Sequence, residues 1–251
     1  YRKRYLDLIT NSESLEIFKK RSQIISSISE FFISHEYLEV ETPMMHSILG
    51  GAAAKPFTTH HNALDMPLYL RVAPELYLKR LLVGGLDRVY EINRSFRNEG
   101  ISTQHNPEFT MLEIYQAYAN YRDLIGLTQT LIRESARAVL GTDQLNYQDQ
   151  IIDLKSDFEV MTIEKGLVQH NPDLAGNPRD LEQLRLVCDK RAIKYKDDDG
   201  AGKLQIELFE ATVERHLAGP VFVTEYPAEV SPLARCKDDD AFLTDLSLIH
   251  I

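Results

Sequence analysis

Residues 94–115, RSFRNEGISTQHNPEFTMLEIY, carry large polar and aromatic side chains on both sides of a polar loop. The pattern predicts two strands, residues 88–97 and 109–117, and the loop between them holds His105. Because residues two apart in a strand lie on one face, we expect Arg97 and Glu99 side by side. If the two strands pair as a hairpin, one surface of a sheet carries several groups able to bind a ligand.

The returning strand is expected to present four side chains on one face: Phe109, Met111, Glu113 and Tyr115. A guanidinium donates paired hydrogen bonds to phosphate or carboxylate oxygens. A carboxylate accepts from an adenine amino group, and a phenyl ring stacks on a base. On an arbitrary hairpin, Arg97, Glu99 and Glu113 would more often form a row of salt bridges facing water. Here the density of large side chains favours a nucleotide site.

Composition limits the classes of protein to consider. The chain has 251 residues, with 43% apolar and 26% charged residues, which is typical of a globular protein. No apolar run approaches the roughly 20 residues of a membrane helix. The net charge of −10 argues against indiscriminate binding of polyanions, although a local basic patch can still bind nucleic acid. Two cysteines, with no Cys-x-x-Cys, indicate neither a disulfide framework nor a zinc site.

The remaining pattern mixes helices and strands without a βαβ rhythm, so the predicted fold class is α+β. Apolar residues at helical spacing predict long amphipathic helices over 13–35 and 121–140. Further helices are predicted at 74–83 and 204–217, and further strands at 37–41, 68–72 and 220–224.

The segment Phe96-Arg97-Asn98-Glu99, followed by a loop and Phe109, resembles motif 2 of the class II aminoacyl-tRNA synthetases. Residues 38–43, LEVETP, resemble the end of motif 1, whose helix and strand form the dimer interface of that class. The finer resemblance is to the lysyl-tRNA synthetases, through blocks that cover nearly the whole chain: RYLDL (4–8), GGAAAKPF (50–57), LRVAPELYLK (70–79), HNPEFT (105–110) and EYPAEVSPLA (225–234).

The resemblance implies two sets of site residues. The expected ATP-binding residues are Arg97, Glu99, His105 and Phe109, with Arg97 also the catalytic residue. The expected lysine-binding residues are Gly51, Glu75, Arg97, Glu113 and Tyr115. The implied fold is a class II antiparallel sheet flanked by helices.

The implied activity is that of a lysine–tRNA ligase, which activates L-lysine with ATP and transfers it to tRNA(Lys). The resemblance also implies Mg²⁺, a homodimer formed through the motif 1 helix and strand, a cytoplasmic location and no membrane contact. Two alternatives stay open. One is a lysyl transferase that modifies translation elongation factor P, and the other is a non-catalytic regulatory paralogue.

The expected organisation has five ranges: 1–10 as a junction from an anticodon-binding domain, 11–157 as catalytic core with motifs 1 and 2, 158–202 as a small helical insertion, 203–245 as continued core, and 246–251 as a tail unlike the family. In the family, a Gly-rich motif 3 and metal-binding acids follow. We therefore expect a truncated C-terminus, no metal ligands within this chain, and weak or no activation of lysine by the chain alone.

Overall fold

The computed structural model describes residues 3–103, 105–147 and 150–250. The chain forms two compact units, of which unit 1 extends to Ala119 and unit 2 begins at Asn120. Both mix helices with small sheets, which confirms the predicted α+β class. Residues 1, 2 and 251, which belong to the expected junction and tail, lie outside the described residues. No helix within the described ranges is long and apolar enough to cross a membrane.

Two helices open unit 1, α1 (Arg4–Thr10) and α2 (Ser12–Ser34). Helix α2 confirms the helix predicted over residues 13–35. It begins where the side chain of Asn11 accepts hydrogen bonds from the backbone N–H groups of the next turn, since these groups have no partner within the helix. The buried residues of α2 lie at its C-terminal end, where Phe32 stacks against Tyr90.

Small sheets and one further helix complete unit 1. The strands are β1 (Leu38–Glu39), β2 (Met45–His46), β3 (Thr58–His61), β4 (Met66–Leu70), β5 (Arg88–Phe96) and β6 (Glu108–Gln116). Helix α3 (Glu75–Val83) lies between β4 and β5 in the sequence and confirms the helix predicted there. One sheet has the order β1-β5-β6 and another the order β2-β4-β3.

The predicted hairpin is confirmed. Strands β5 and β6 pair antiparallel from Arg88 opposite Gln116 to Phe96 opposite Glu108. Residues directly opposite each other in such a pair share a face of the sheet. One face therefore carries Glu91 and Ser95 from β5 together with the predicted row from Phe109 to Tyr115.

Two predicted strands differ in extent. The strand predicted at 37–41 is reduced to Leu38–Glu39, which pairs parallel with β5. The strand predicted at 68–72 instead covers Met66–Leu70, because it pairs with β3, which the sequence did not predict. The difference places Arg71 just beyond the end of β4, where its backbone N–H donates to the carbonyl of Met44 at 2.8 Å.

A buried ion pair joins three segments of unit 1. Nη1 of Arg71 lies 2.7 Å from Oε1 of Glu91, and the two side chains are 0% and 1% exposed. The hydroxyl of Thr42 donates to the Glu91 carboxylate at 2.6 Å and accepts from Arg71 at 2.9 Å. The Nε of Arg71 donates to the carbonyl of Arg94 at 2.8 Å. The two buried charges therefore neutralise each other, while Nη2 of Arg71 has no hydrogen-bond partner among the described residues.

Unit 2 begins with helix α4 (Tyr121–Leu140), which confirms the second long helix predicted. Asn120 and Asp123 form a reciprocal capping box at its start. Its end is set by Gly141, whose φ of 70° lies in the left-handed region that favours glycine. The following hairpin of β7 (Gln144–Tyr147) and β8 (Gln150–Asp153) was not predicted.

The core of unit 2 is formed by three helices packed on a sheet. The strands of this sheet are β9 (Glu159–Thr162), β10 (Val221–Thr224) and β11 (Ser247–His250), and the helices are α5 (Ile163–His170), α6 (Leu181–Lys190) and α7 (Ala201–Thr212). Strand β10 is central, pairing parallel with β9 and antiparallel with β11. The predicted helix 204–217 is shorter, since α7 ends at Thr212 and a 3-10 turn follows.

The segment expected to be a helical insertion, residues 158–202, contains α5 and α6 as expected and also β9. Its buried residues share one hydrophobic cluster with α7 and β10, for example Leu167, Leu184 and Leu208. The expected tail contributes β11 to the same sheet. The five expected domain ranges remain a prediction.

We predict that Gly166→Ala destabilises unit 2. A Cβ at this position in α5 would lie 2.8 Å from Cε2 of the buried Phe209 ring and 2.9 Å from Sδ of Met161. Overpacking of this kind costs about 1–3 kcal/mol. The control is Gly126→Ala in α4, where nothing lies within 4 Å and the gain in helix propensity is about 0.5–1 kcal/mol. Urea unfolding followed by circular dichroism should show midpoints that move in opposite directions; a shift in the same direction would contradict this packing.

A second prediction concerns the buried ion pair. Glu91→Gln should lower the free energy of unfolding by about 3–5 kcal/mol, because Arg71 would remain charged in a buried site without a counter-charge. The control is Glu16→Gln, which removes an exposed pair with Lys19 and should leave the midpoint of urea unfolding unchanged. Equal midpoints for the two variants would be inconsistent with the buried network.

Candidate active site

Arg97 and Phe109 line a cavity of about 420 Å³ at the loop end of the hairpin, together with Glu99, Gly100, His105 and Asn106. The backbone N–H of Arg97 donates to the carbonyl of Pro107 at 2.8 Å, just beyond the last pair of the β5–β6 ladder. The structure thus brings the four residues predicted to bind ATP to one cavity, whose volume is within the range of small-molecule sites.

The guanidinium of Arg97 is held over an aromatic ring. Its central carbon lies 5.2 Å from the centre of the Phe109 ring, which is within the range of a cation–π contact. Its Nε is buried and has no hydrogen-bond partner among the described residues. The side chain is therefore oriented by the ring while a donor remains unused, an arrangement suited to binding an anion.

Glu99 and His105 reach the cavity from the loop. Strand β5 ends at Phe96, and the backbone N–H of Asn98 donates to the carbonyl of Lys55 at 2.7 Å, so the chain turns away from the β6 partner. The expectation that Arg97 and Glu99 share a strand face is therefore wrong, although both line the cavity. The ring Nδ1 of His105 lies 2.8 Å from the hydroxyl of Ser102, which orients the imidazole.

A second group of predicted residues lies at the other end of β6. The hydroxyl of Tyr115 donates to the Glu113 carboxylate at 3.0 Å. Glu75 is in the first turn of α3, where a helix N-terminus stabilises negative charge. Gly51 has a φ of 94°, and a Cβ there would lie 3.5 Å from the Cβ of Glu75. Gly51 therefore permits a close approach of the loop to the start of α3.

The electrostatics of this group are those of an anionic pocket. Burial raises the pKa of Glu113, the hydrogen bond from Tyr115 lowers it, and the negative charge of Glu75 raises it further. The pKa of Tyr115 is also raised by burial and by the neighbouring carboxylates of Glu113 and Glu75. A half-buried carboxylate whose ionisation is opposed by burial and by a neighbouring carboxylate favours a ligand with positive charge.

Three residues near the pocket were not predicted to take part in a site. Glu91 is directly opposite Glu113 in the hairpin, and Arg71 neutralises it. Lys79 pairs with Glu75 one turn along α3. The sequence signal that could have identified the buried pair is the position of Arg71 within the apolar run LRVA. A charged side chain in such a run needs a buried partner. No cluster of three or more His, Cys, Asp or Glu side chains able to hold a metal ion occurs within the described residues.

Comparison with known sequences shows the class of protein to which this chain belongs. The family model "tRNA synthetases class II (D, K and N)" matches residues 1–247. The chain belongs to this family of class II tRNA synthetases.

Within that class, the similar curated proteins are lysine–tRNA ligases. The chain is 55% identical over 246 residues to those of Thioalkalivibrio sulfidiphilus and Legionella pneumophila strain Paris, which covers 98% of this chain and 49% and 50% of theirs. It is likewise 55% identical to that of Xanthomonas axonopodis over 98% of this chain. The chain spans about half the length of the curated relatives it matches.

The raised pKa of Glu113 generates a prediction. Glu113→Gln should raise the thermal midpoint at pH 7, because the neutral amide loses less hydration energy on burial than the carboxylate. Since the folded pKa lies above the ordinary value of 4.5, the difference should be complete above the folded pKa and vanish below pH 4.5, where the carboxyl group is protonated in both states.

The control for this experiment is Glu108→Gln, on the same strand but with a side chain that is 56% exposed. Thermal unfolding from pH 4 to 8 should show no comparable pH-dependent gain for this variant. A midpoint for Glu113→Gln at or below that of the unmodified chain at pH 7 would show that burial does not disfavour the charge of Glu113.

Proposed function

We propose that this chain is part of a lysine–tRNA ligase, which activates L-lysine with ATP to lysyl-adenylate and transfers the lysyl group to tRNA(Lys). The single observation that carries the proposal is the 55% identity to lysine–tRNA ligases over 98% of this chain. Because the chain spans about half of those relatives, the activity is proposed for a protein of their length that contains this chain.

The cavity at the loop end of the hairpin is proposed to bind ATP. The Phe109 ring offers a face for adenine, and the Glu99 carboxylate can accept from the adenine amino group. His105 is proposed to contact the outer phosphates. Arg97 is proposed as the catalytic residue, binding the α-phosphate and the lysine carboxylate, and its unused buried Nε is consistent with that assignment.

The anionic pocket is proposed to bind lysine. Glu113 and Tyr115 would receive the ε-ammonium group, while Glu75 and the loop at Gly51 would receive the α-ammonium group. Phe109 and Glu113 are four residues apart on one face of β6, about 13 Å along the strand. An amino acid with a neutral side chain would leave the half-buried carboxylate without a partner. The pocket is therefore proposed to favour lysine over amino acids with neutral side chains.

The proposed reaction is an in-line displacement. An oxygen of the lysine carboxylate attacks the α-phosphorus, the bond to the bridging oxygen breaks, and pyrophosphate leaves with that oxygen. Negative charge builds on the α-phosphate, and Arg97 is already in place to stabilise it. Magnesium is proposed as a counter-ion of the ATP phosphates. On the family resemblance, its protein ligands are proposed to lie outside this chain.

We further propose a cytoplasmic homodimer in which α2 and β1 form the interface. Exposed apolar side chains on these elements include Ile17, Ile33 and Leu38, at 65%, 62% and 51%, and contiguous exposed apolar surface is typical of a protein interface. Both cysteines are free thiols, which suits a reducing compartment. In the complete protein, the small sheets are proposed to belong to one antiparallel sheet flanked by helices.

The test is ATP–pyrophosphate exchange with each of the twenty amino acids, using the chain extended by its flanking coding sequence to the length of its relatives. We expect exchange with lysine and little with the others. Transfer of the lysyl group to tRNA(Lys), and not to elongation factor P, would identify the acceptor. Exchange with another amino acid, or with none, would refute the proposal.

In the same assay, Arg97→Ala should lower kcat for exchange by about 10²–10³-fold, because it removes a preorganised cation from the developing charge. Arg94→Ala is the matched control, since Arg94 is on the opposite face of β5 with a side chain that is 52% exposed. It should retain near-normal exchange. Equal activity of the two variants would show that Arg97 does not act on the phosphate.

A further inference from the structure

The carboxylate of Glu75 already has an ammonium partner within the chain. Nζ of Lys79 lies 2.5 Å from Oε1 of Glu75, and the two side chains are 58% and 33% exposed. The residues are one turn apart on α3, so they are neighbours on the helix surface. The pair therefore holds an amine on a carboxylate of the anionic pocket.

Geometry and electrostatics both place Glu75 in that pocket. A Cβ built on Gly51 would lie 3.5 Å from the Cβ of Glu75. The charge of Glu75 raises the pKa of both Glu113 and Tyr115. Its counter-ion therefore affects the whole pocket.

The two cations next to the pocket differ in how freely they can move. Arg71 is fully buried and paired with Glu91, with further hydrogen bonds to Thr42 and to the backbone. Lys79 has a flexible, largely exposed side chain. Exposed ion pairs are weak, so Lys79 can leave Glu75 at small cost. Arg71 is a fixed part of the fold, whereas Lys79 is a replaceable counter-ion.

We propose that Lys79 is a specificity-determining residue that occupies the ammonium site of Glu75 and is displaced by the α-ammonium group of the amino acid substrate. This inference rests on the proposed function. Displacement exchanges one ammonium–carboxylate pair for another, so a substrate without an α-amino group gains no such contact.

The competing explanation is that the pair only stabilises α3. Glutamate followed by lysine four residues later is favourable on any helix. Unit 2 contains a pair with the same spacing but the reverse order on α7, where Lys203 lies 2.5 Å from Glu207 and the side chains are 40% and 31% exposed. Loss of either pair should affect helix stability similarly, whereas only the loss of Lys79 should change the binding of lysine.

The experiment measures KM for lysine in ATP–pyrophosphate exchange, using the chain extended to the length of its curated relatives. Lys79→Met should lower this KM about two- to fivefold with kcat unchanged, the range expected when a weak competing ion pair is removed. Lys79→Arg keeps a cation and should retain the original KM. Lys203→Met should behave like the unmodified protein.

A second readout uses 6-aminohexanoate, which is lysine without its α-amino group, as a competitive inhibitor. Its Ki should fall less than the KM for lysine in Lys79→Met, because it feels the change in pocket charge but does not compete with Lys79 for Glu75. An unchanged or raised KM for lysine in Lys79→Met would overturn the inference while leaving the proposed function intact. An equal fall in KM and Ki would also overturn it, by indicating a general change in charge. Absence of lysine exchange in the unmodified protein would instead refute the proposed function and the inference with it.

Discussion

The buried ion pair between Arg71 and Glu91 stabilises the face of the hairpin that carries the candidate site. Glu91 and Glu113 are directly opposite each other on β5 and β6, and like charges in that position destabilise a sheet. Arg71 neutralises Glu91 and, through Thr42 and the carbonyl of Arg94, ties three distant segments together. Because Glu91 is already paired with Arg71, Glu113 is the one of these two carboxylates that could pair with a ligand.

The pocket shows the tension between stability and function that is common at binding sites. Glu113 is half-buried, its partner is the phenol of Tyr115, and its raised pKa reports unfavourable ionisation in the folded chain. An ammonium ligand would relieve that cost, so the same desolvation that weakens the empty protein strengthens binding of a cation. Lys79 neutralises the neighbouring carboxylate of Glu75.

Elements with a long, clear hydrophobic period were predicted well. Helices α2 and α4 and strands β5 and β6 match the expectations closely, and the ATP-binding candidates meet at one cavity. Strands β3, β7, β8 and β9 were missed because each has four residues in a mainly polar segment, too short for a period of two to stand out. Glu99 was expected beside Arg97 on one strand face, but β5 ends three residues before Glu99. The turn depends on the hydrogen bond from Asn98 to Lys55, which joins segments far apart in the sequence.

The sequence alone therefore established the α+β class, the hairpin, the family resemblance and the identities of the candidate residues, since these depend on local periodicity and on residue types at short spacings. Only the tertiary structure showed that Arg71 is the buried partner of Glu91, that Arg97 lies over the Phe109 ring, and that Lys79 occupies Glu75. The buried pair and the cation–π contact depend on strand register and on the approach of distant segments. The Lys79 pair depends on the side-chain conformations of Lys79 and Glu75. The order of residues in the sequence does not directly specify any of these three contacts.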